Sequence, residues 1–275
     1  MRNLEDYLLD TFTFNNYINN QPMIIEGLDI DIYNRTVSLT NKHSKGIDFE
    51  IDKPIYRKIN GMNVYSIFKR TKLRDEKNIN RDGNPFIYAL KGINKWKFDI
   101  SDNEIREYCR KFINQCDKLD KIYDTIIIVP SGSDLNKRFM KTLSNIIGTK
   151  YNLEDFFHKV EKEYADDSIN ITQIKKDFGD NYKKVMHDIY DGFMKMKGKY
   201  FEAKYIDKKY LKYIDCIISS SNEYELFDCL EYITNKNVLV LDDTISSGET
   251  VSRCVKAIQT YAPKKIDVIT LLSKL

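Results

Sequence analysis

Val238-Leu239-Val240-Leu241-Asp242-Asp243-Thr244-Ile245-Ser246-Ser247-Gly248-Glu249-Thr250 decides how the rest of the chain is read. Four consecutive apolar residues bounded by polar ones predict a strand buried on both faces, and the helical spacing after Gly248 makes the unit strand, loop, helix. The loop sets two carboxylates where the strand ends. The small residues Thr, Ser, Ser, Gly and Thr that follow let backbone N–H groups and hydroxyls converge on an anion at a helix N-terminus. In open α/β sheets, ligands bind at that end of the strands. A plainer alternative is a buried strand running into a capped helix, with Asp243 or Ser247 serving only as N-cap.

The flanking segments repeat the pattern. After the loop, Val251, Val255, Ile258 and Tyr261 share a helical face, Pro263 stops the helix, and Ile266 to Leu272 predicts another strand. Before it, Tyr213 to Ile218 reads as a core strand, with Tyr224, Phe227, Leu230 and Ile233 on the helix that returns to the sheet. A β-α-β-α-β order of this kind implies a parallel sheet with right-handed crossovers. A second strongly apolar run, Ile126 to Val129, is broken by Pro130-Ser131-Gly132-Ser133-Asp134. The helix expected next turns Leu135, Phe139, Leu143 and Ile146 inward and stops near Gly148. The fold class expected is therefore α/β, a Rossmann-like parallel sheet flanked by helices.

Upstream, residues 1–100 have a different period. Met1 to Asn20 suggests a short helix and a loop. Alternation in Ile24 to Ile32, Val37 to Leu39 and Ile47 to Ile51, with β-formers in Asn63 to Phe68 and turns at Asn60-Gly61 and Asp82 to Pro85, predicts an antiparallel β-rich N-terminal region. The mixed charges of Lys69 to Arg81 read as a solvated loop. Ser101-Asp102-Asn103-Glu104 has the form of a capping box opening a helix that continues to Leu119, so a core of residues 101–275 is expected. Within that core, about 152–197 reads as a helical insertion. Gly198 to Tyr205 is either a mobile loop or a helix end with solvated lysines.

Composition narrows the function classes. The 275 residues suit one large domain or a core with a subdomain, and a net charge of +3 does not argue for nucleic acid as a partner. The five cysteines form no CxxC pair and the three histidines lie far apart, so neither a zinc site nor a disulfide framework is expected. No apolar stretch approaches a membrane span, and Met1-Arg2-Asn3-Leu4-Glu5-Asp6 lacks a signal-peptide core. A cytoplasmic protein without membrane contact is expected.

The stretch 238–250 closely resembles the ribose-phosphate signature of the type I phosphoribosyltransferases. That signature is a hydrophobic run, two acidic residues, two variable ones, two Ser/Thr, Gly, any residue and Thr. The resemblance implies the fold of that family and a Mg²⁺-dependent transfer of the 5-phosphoribosyl group from phosphoribosyl pyrophosphate to a nitrogenous base or related acceptor, with release of pyrophosphate. Asp242 and Asp243 would be the catalytic pair, meeting the ribose hydroxyls and, through those hydroxyls or water, the metal. Thr244, Ile245, Ser246, Ser247, Gly248, Glu249 and Thr250 would wrap the 5-phosphate. In the same resemblance Ser131, Gly132 and Ser133 would form the pyrophosphate loop; the other reading of a Ser/Gly turn at a sheet end is a purely structural one. Lys137 and Arg138 are either pyrophosphate partners or surface-helix residues. Val129-Pro130 and Lys137-Arg138-Phe139 loosely resemble the ComF-like branch, whose usual Arg-Gly-Phe-Asn run lacks its Gly and Asn here. The family pattern further implies an acceptor-reading hood, assigned to residues 1–100, and a homodimer. The alternative, from another class, is a catalytically silent sensor of phosphoribosyl pyrophosphate or a nucleotide.

Overall fold

The computed structural model describes residues 27–31, 33–40, 47–48, 55–70, 84–98, 123–214, 218–220, 230–245 and 248–273. Outside these lie the helices expected at residues 1–20 and 101–119, the charged run at 71–81, the positions Tyr224 and Phe227, and Ser246 and Ser247 of the anion loop. The chain forms two compact units, one of Met1–Glu154 with Leu230–Leu275 and the other of Asp155–Cys229.

The first unit is built on the sheet that the apolar runs predicted. Strands β1 (Gly27–Asp31) and β2 (Thr36–Thr40) form a small sheet with β6 (Lys97–Phe98). The main sheet contains β3 (Ile47–Asp48), β4 (Ile55–Ile59), β5 (Met62–Arg70), β7 (Thr125–Ile128), β8 (Tyr151–Leu153), β11 (Asn237–Ile245) and β12 (Lys265–Ser273). Its order is β5-β12-β11-β7-β8, all parallel, and β3 and β4 pair antiparallel along the outer edge of β5. Val238, Leu239, Val240 and Leu241 of β11 are fully buried, as a central strand covered on both faces requires.

Helix α1 (Asn84–Lys91) and helix α2 (Leu135–Ile147) fill one face. Phe86, Ile87, Leu135, Phe139 and Leu143 pack there with Ile126, Ile128, Leu239, Leu241 and Ile269. Helix α5 (Glu249–Gln259) buries Val251, Cys254, Val255 and Ile258 and contacts β11. The crossover from β7 through α2 to β8 runs one way along the sheet, and that from β11 through α5 to β12 runs the other. Right-handed crossovers therefore place α2 and α5 on opposite faces, and the crevice between the ends of β7 and β11 is a topological switch point.

Strand β5 is thus part of the main sheet and not of a separate antiparallel layer. A buried carboxylate ties it in: Asp267 of β12 accepts from Asn63 Nδ2 at 2.9 Å, Tyr123 Oη at 2.8 Å and Lys265 Nζ at 2.6 Å. A fully enclosed charge is tolerable because three donors satisfy it. Burial, with the Asp267 charge, pushes the Tyr123 hydroxyl pKa up.

The second unit corrects two expectations. Its helices, α3 (Ile171–Phe178) and α4 (Tyr182–Lys195), occupy only part of the stretch expected to be helical, which begins in strand with β8 and β9 (Phe157–Lys159). The described ends of the run Tyr213 to Ile218 do not join the parallel sheet, and Asp215, Cys216 and Ile217 lie outside the described residues. Tyr213 closes a 3-10 turn, Ile214 makes an isolated bridge with Ile169, and β10 (Ile218–Ser220) pairs antiparallel with β9. The apolar residues serve a local core instead: Tyr213 and Ile214 pack with Ile174, Ile189 and Phe193. A short apolar run has the same appearance in either setting. The segment Gly198 to Tyr205 is packed into this core by Phe201, whose N–H donates to Val160 O at 2.9 Å. No described helix is long and apolar enough to cross a membrane.

Candidate functional site

The paired carboxylates stand at the switch point. Strand β11 carries Asp242 and Asp243 to its C-terminal end, and β7 delivers the turn Ser131–Ser133 beside them. Ser131 Oγ lies 3.3 Å from Asp243 Oδ2, so two segments more than a hundred residues apart meet at one oxygen. The Ser131 and Ser133 hydroxyls are 3.5 Å apart, and Ser133 N–H approaches Ser131 Oγ at 3.4 Å. Gly132 is exposed at the crest of the turn.

Asp243 is the more enclosed acid. Its Oδ1 accepts from Thr244 Oγ1 at 2.8 Å, and its Oδ2 is 2.6 Å from Lys91 Nζ. Asp242 Oδ1 accepts from the Asp243 N–H at 2.9 Å and faces Asn136 Nδ2 at 3.4 Å. Desolvation and then the neighbouring Asp243 charge push the Asp242 carboxyl up to about 7, while Asn136, Lys91 and the Asp243 N–H pull the other way. Behind it, burial and the Asp242 charge raise the Cys254 thiol well above its usual range, which leaves it protonated and inert.

Neither Lys91 nor Asn136 was legible in the sequence. Lys91 is the last residue of α1, one lysine among many, and only its position before Gly92 hints at a helix end. Asn136 is the second residue of α2, a first-turn position where Asn is ordinary and carries no signal of its own. Its Nδ2 donates to Val129 O at 2.8 Å, and its Oδ1 is buried without a hydrogen-bond partner among the described residues. Such an atom costs about 1–3 kcal/mol, a defect that calls for a functional explanation.

The anion loop is described at its flanks. Ile245 is buried, and Gly248 adopts φ 73° and ψ 8° as the N-cap of α5, with no side-chain cap hydrogen bond. Among the described residues no side chain caps the first N–H groups of α5, the condition for an anion to use them. Glu249 pairs with Arg253 at 3.1 Å, and Thr250 is half-buried in the first turn. Lys137 lies 3.4 Å from Glu154, about half exposed. Arg138 donates to Leu90 O at 2.5 Å and approaches Asp134 at 3.3 Å. Among the described residues no third metal-binding side chain joins Asp242 and Asp243, and no group of three or more occurs elsewhere. That donor set suits Mg²⁺ reached through ligand hydroxyls or water better than a protein cage.

A mostly parallel sheet flanked by helices, with a carboxylate pair at its switch point and a glycine-capped helix beyond, is consistent with the type I phosphoribosyltransferase fold. Over 58 residues, covering 21% of this chain and 33% of the relative, the chain is 38% identical to hypoxanthine phosphoribosyltransferase of Buchnera aphidicola subsp. Schizaphis graminum (strain Sg). It thus spans about a third of the length of that curated relative. No family model matches the chain.

Proposed function

We propose that this chain is a phosphoribosyltransferase that moves the 5-phosphoribosyl group from phosphoribosyl pyrophosphate to a nitrogenous base and releases pyrophosphate. The observation that carries the reading is the carboxylate pair at the switch point, joined through Ser131 to the turn after β7. Asp242 and Asp243 accept hydrogen bonds from the ribose hydroxyls, and the segment Thr244 to Thr250 encloses the 5-phosphate at the start of α5. Ser131, Gly132 and Ser133 face the pyrophosphate. The C1–O bond breaks with its electron pair leaving on the pyrophosphate oxygen, a ring nitrogen's lone pair forms the new C1–N bond, and the base's proton passes to solvent. The transition state carries positive charge on the sugar, as at other anomeric centres, so the chain's task is to fix the ribose phosphate and exclude water. Mg²⁺, when bound, neutralises the pyrophosphate oxygens.

The reading extends to a cytoplasmic homodimer, with the acceptor-reading hood in residues 1–100. It includes a ComF-like affiliation through Val129-Pro130 and Lys137-Arg138-Phe139. The named similarity makes hypoxanthine the first acceptor to try. The test is titration with phosphoribosyl pyrophosphate and Mg²⁺, followed by pyrophosphate release with a panel of purines and pyrimidines. Release that depends on a base, and that Asp242→Asn with Asp243→Asn abolishes, is the expected result. Binding without release by any base would make the chain a sensor, and an unchanged double variant would end the assignment.

A further inference from the structure

We propose that Lys91 is a pyrophosphate-contacting residue of this site, contributed by the N-terminal part of the chain and held in place by Arg138; the inference rests on the phosphoribosyltransferase reading. Lys91 ends α1 in a fixed frame. Gly92, at φ 62°, follows it, and the Gly92 and Ile93 N–H groups donate to Ala89 O and Tyr88 O at 3.2 and 3.0 Å, the paired bonds of a glycine-terminated helix. This pattern leaves the Leu90 carbonyl to be satisfied from outside, and Arg138 of α2 supplies the donor at 2.5 Å. Phe86, Ile87 and Leu90 anchor the same helix in the core beside Phe139 and Met140. The backbone that carries Lys91 is therefore set by α2, the helix that also follows the Ser131–Ser133 turn.

From this frame Lys91 Nζ reaches Asp243 Oδ2, the oxygen that Ser131 Oγ also approaches. The ammonium thus stands on the border between the carboxylates and the turn read as the pyrophosphate loop. The Lys91 side chain is 18% exposed against 5% for Asp243, so the cation is the more accessible partner of the pair. An ammonium has three donors, and one on Asp243 leaves others for a ligand oxygen. Lys137, directed at Glu154, and Arg138, directed at Leu90 O and Asp134, are engaged elsewhere. When the C1–O electron pair departs on the pyrophosphate, negative charge develops where Lys91 already stands. A preplaced cation in an enclosed site stabilises that charge more than water does.

A lysine that only neutralised Asp243 would show the same contact, so the test separates the two roles. Phosphoribosyl pyrophosphate and ribose 5-phosphate share the ribose hydroxyls and the 5-phosphate and differ at C1. Binding of each to the full chain with Mg²⁺ would be measured by calorimetry for wild type, Lys91→Met, Lys91→Arg and Arg138→Met. Lys91→Met should weaken phosphoribosyl pyrophosphate by about tenfold to a hundredfold, as for loss of a charge-assisted hydrogen bond, while ribose 5-phosphate changes less than about twofold. Lys91→Arg should recover most of the loss, and Arg138→Met should reproduce part of it. Should Lys91→Met lose its cooperative melt, Lys91→Gln carries the same comparison. Equal losses for both ligands, or an unchanged affinity for phosphoribosyl pyrophosphate, would overturn the role of Lys91 and leave the enzyme reading standing. A wild type that binds neither ligand would overturn both.

Discussion

At the scale of single residues, the cost of this site is concentrated on Asp242. Two adjacent carboxylates at a strand end repel each other, and Asp243 is balanced by Lys91, Ser131 and Thr244, whereas among the described residues Asp242 accepts from Asn136 and one backbone N–H, with the Lys91 charge acting on it as well. Its folded pKa is therefore raised from 3.8 to about 7, and the sign of the consequence follows. A carboxyl that holds its proton more tightly when folded contributes stability below its unfolded pKa, and this is lost as the pH rises through the folded one. Asp242→Asn removes the ionisation. Thermal melts should show the variant level with wild type near about pH 4, increasingly more stable up to about pH 7, and level in its advantage above that. A variant less stable than wild type by the same margin at every pH would show that Asp242 is not held in a desolvated, repelled state. Stability gained by blunting a site group is a familiar exchange for function.

At the scale of elements, the strand-loop-helix unit was legible because its signals are local: four apolar residues, two acids, and a glycine before a helical stripe. Gly248 carries two constraints at once. Its φ of 73° disfavours any side chain, and a Cβ there would lie 3.1 Å from Ile59 Cγ2 in the β4–β5 hairpin. Gly148 ends α2 at φ 68° with no atom within 4 Å of such a Cβ, which makes it an internal control. Gly148→Ala should cost about 1–2 kcal/mol in denaturant melts from backbone strain alone, and Gly248→Ala should cost more. Ile59→Ala, which deletes Cγ2, should return the excess and leave the strain; equal costs for the two glycine variants would mean that the hairpin does not brace the loop. What the sequence concealed was non-local. Strand β4 escaped notice because Tyr56, Arg57 and Lys58 are all exposed, so the edge strand has no alternation to detect. The place of β5 beside β12 depends on a register fixed by Asn63 and Asp267, 204 residues apart. Lys91 meets Asp243 only once α1 has docked on α2, a placement that helical periodicity does not encode.

At the scale of the whole molecule, the described hydrophobic residues include one cluster between the parallel sheet and α1 and α2 and another around α3 and α4, while Val251, Val255 and Ile258 of α5 are buried apart from both. The Asp155–Cys229 unit has its own close-packed joint at Gly192 of α4, where a Cβ would meet Ile206 Cδ1 and come within 2.6 Å of the Tyr205 carbonyl oxygen. A carbonyl belonging to the backbone cannot swing aside as a side-chain tip can, so Gly192→Ala must shift the helix or the 3-10 turn at Ala203–Tyr205. Overpacking of this kind costs about 1–3 kcal/mol. Because the carboxylate pair, Ser131, Lys91 and Gly248 all belong to the other unit, the damage should remain local. Limited trypsin digestion of Gly192→Ala should cut faster between Asp155 and Cys229. Affinity for phosphoribosyl pyrophosphate should stay within about twofold of wild type, as for sites without shared partners. Loss of that affinity in parallel with the faster cutting would mean that the two units fold, and bind, as one.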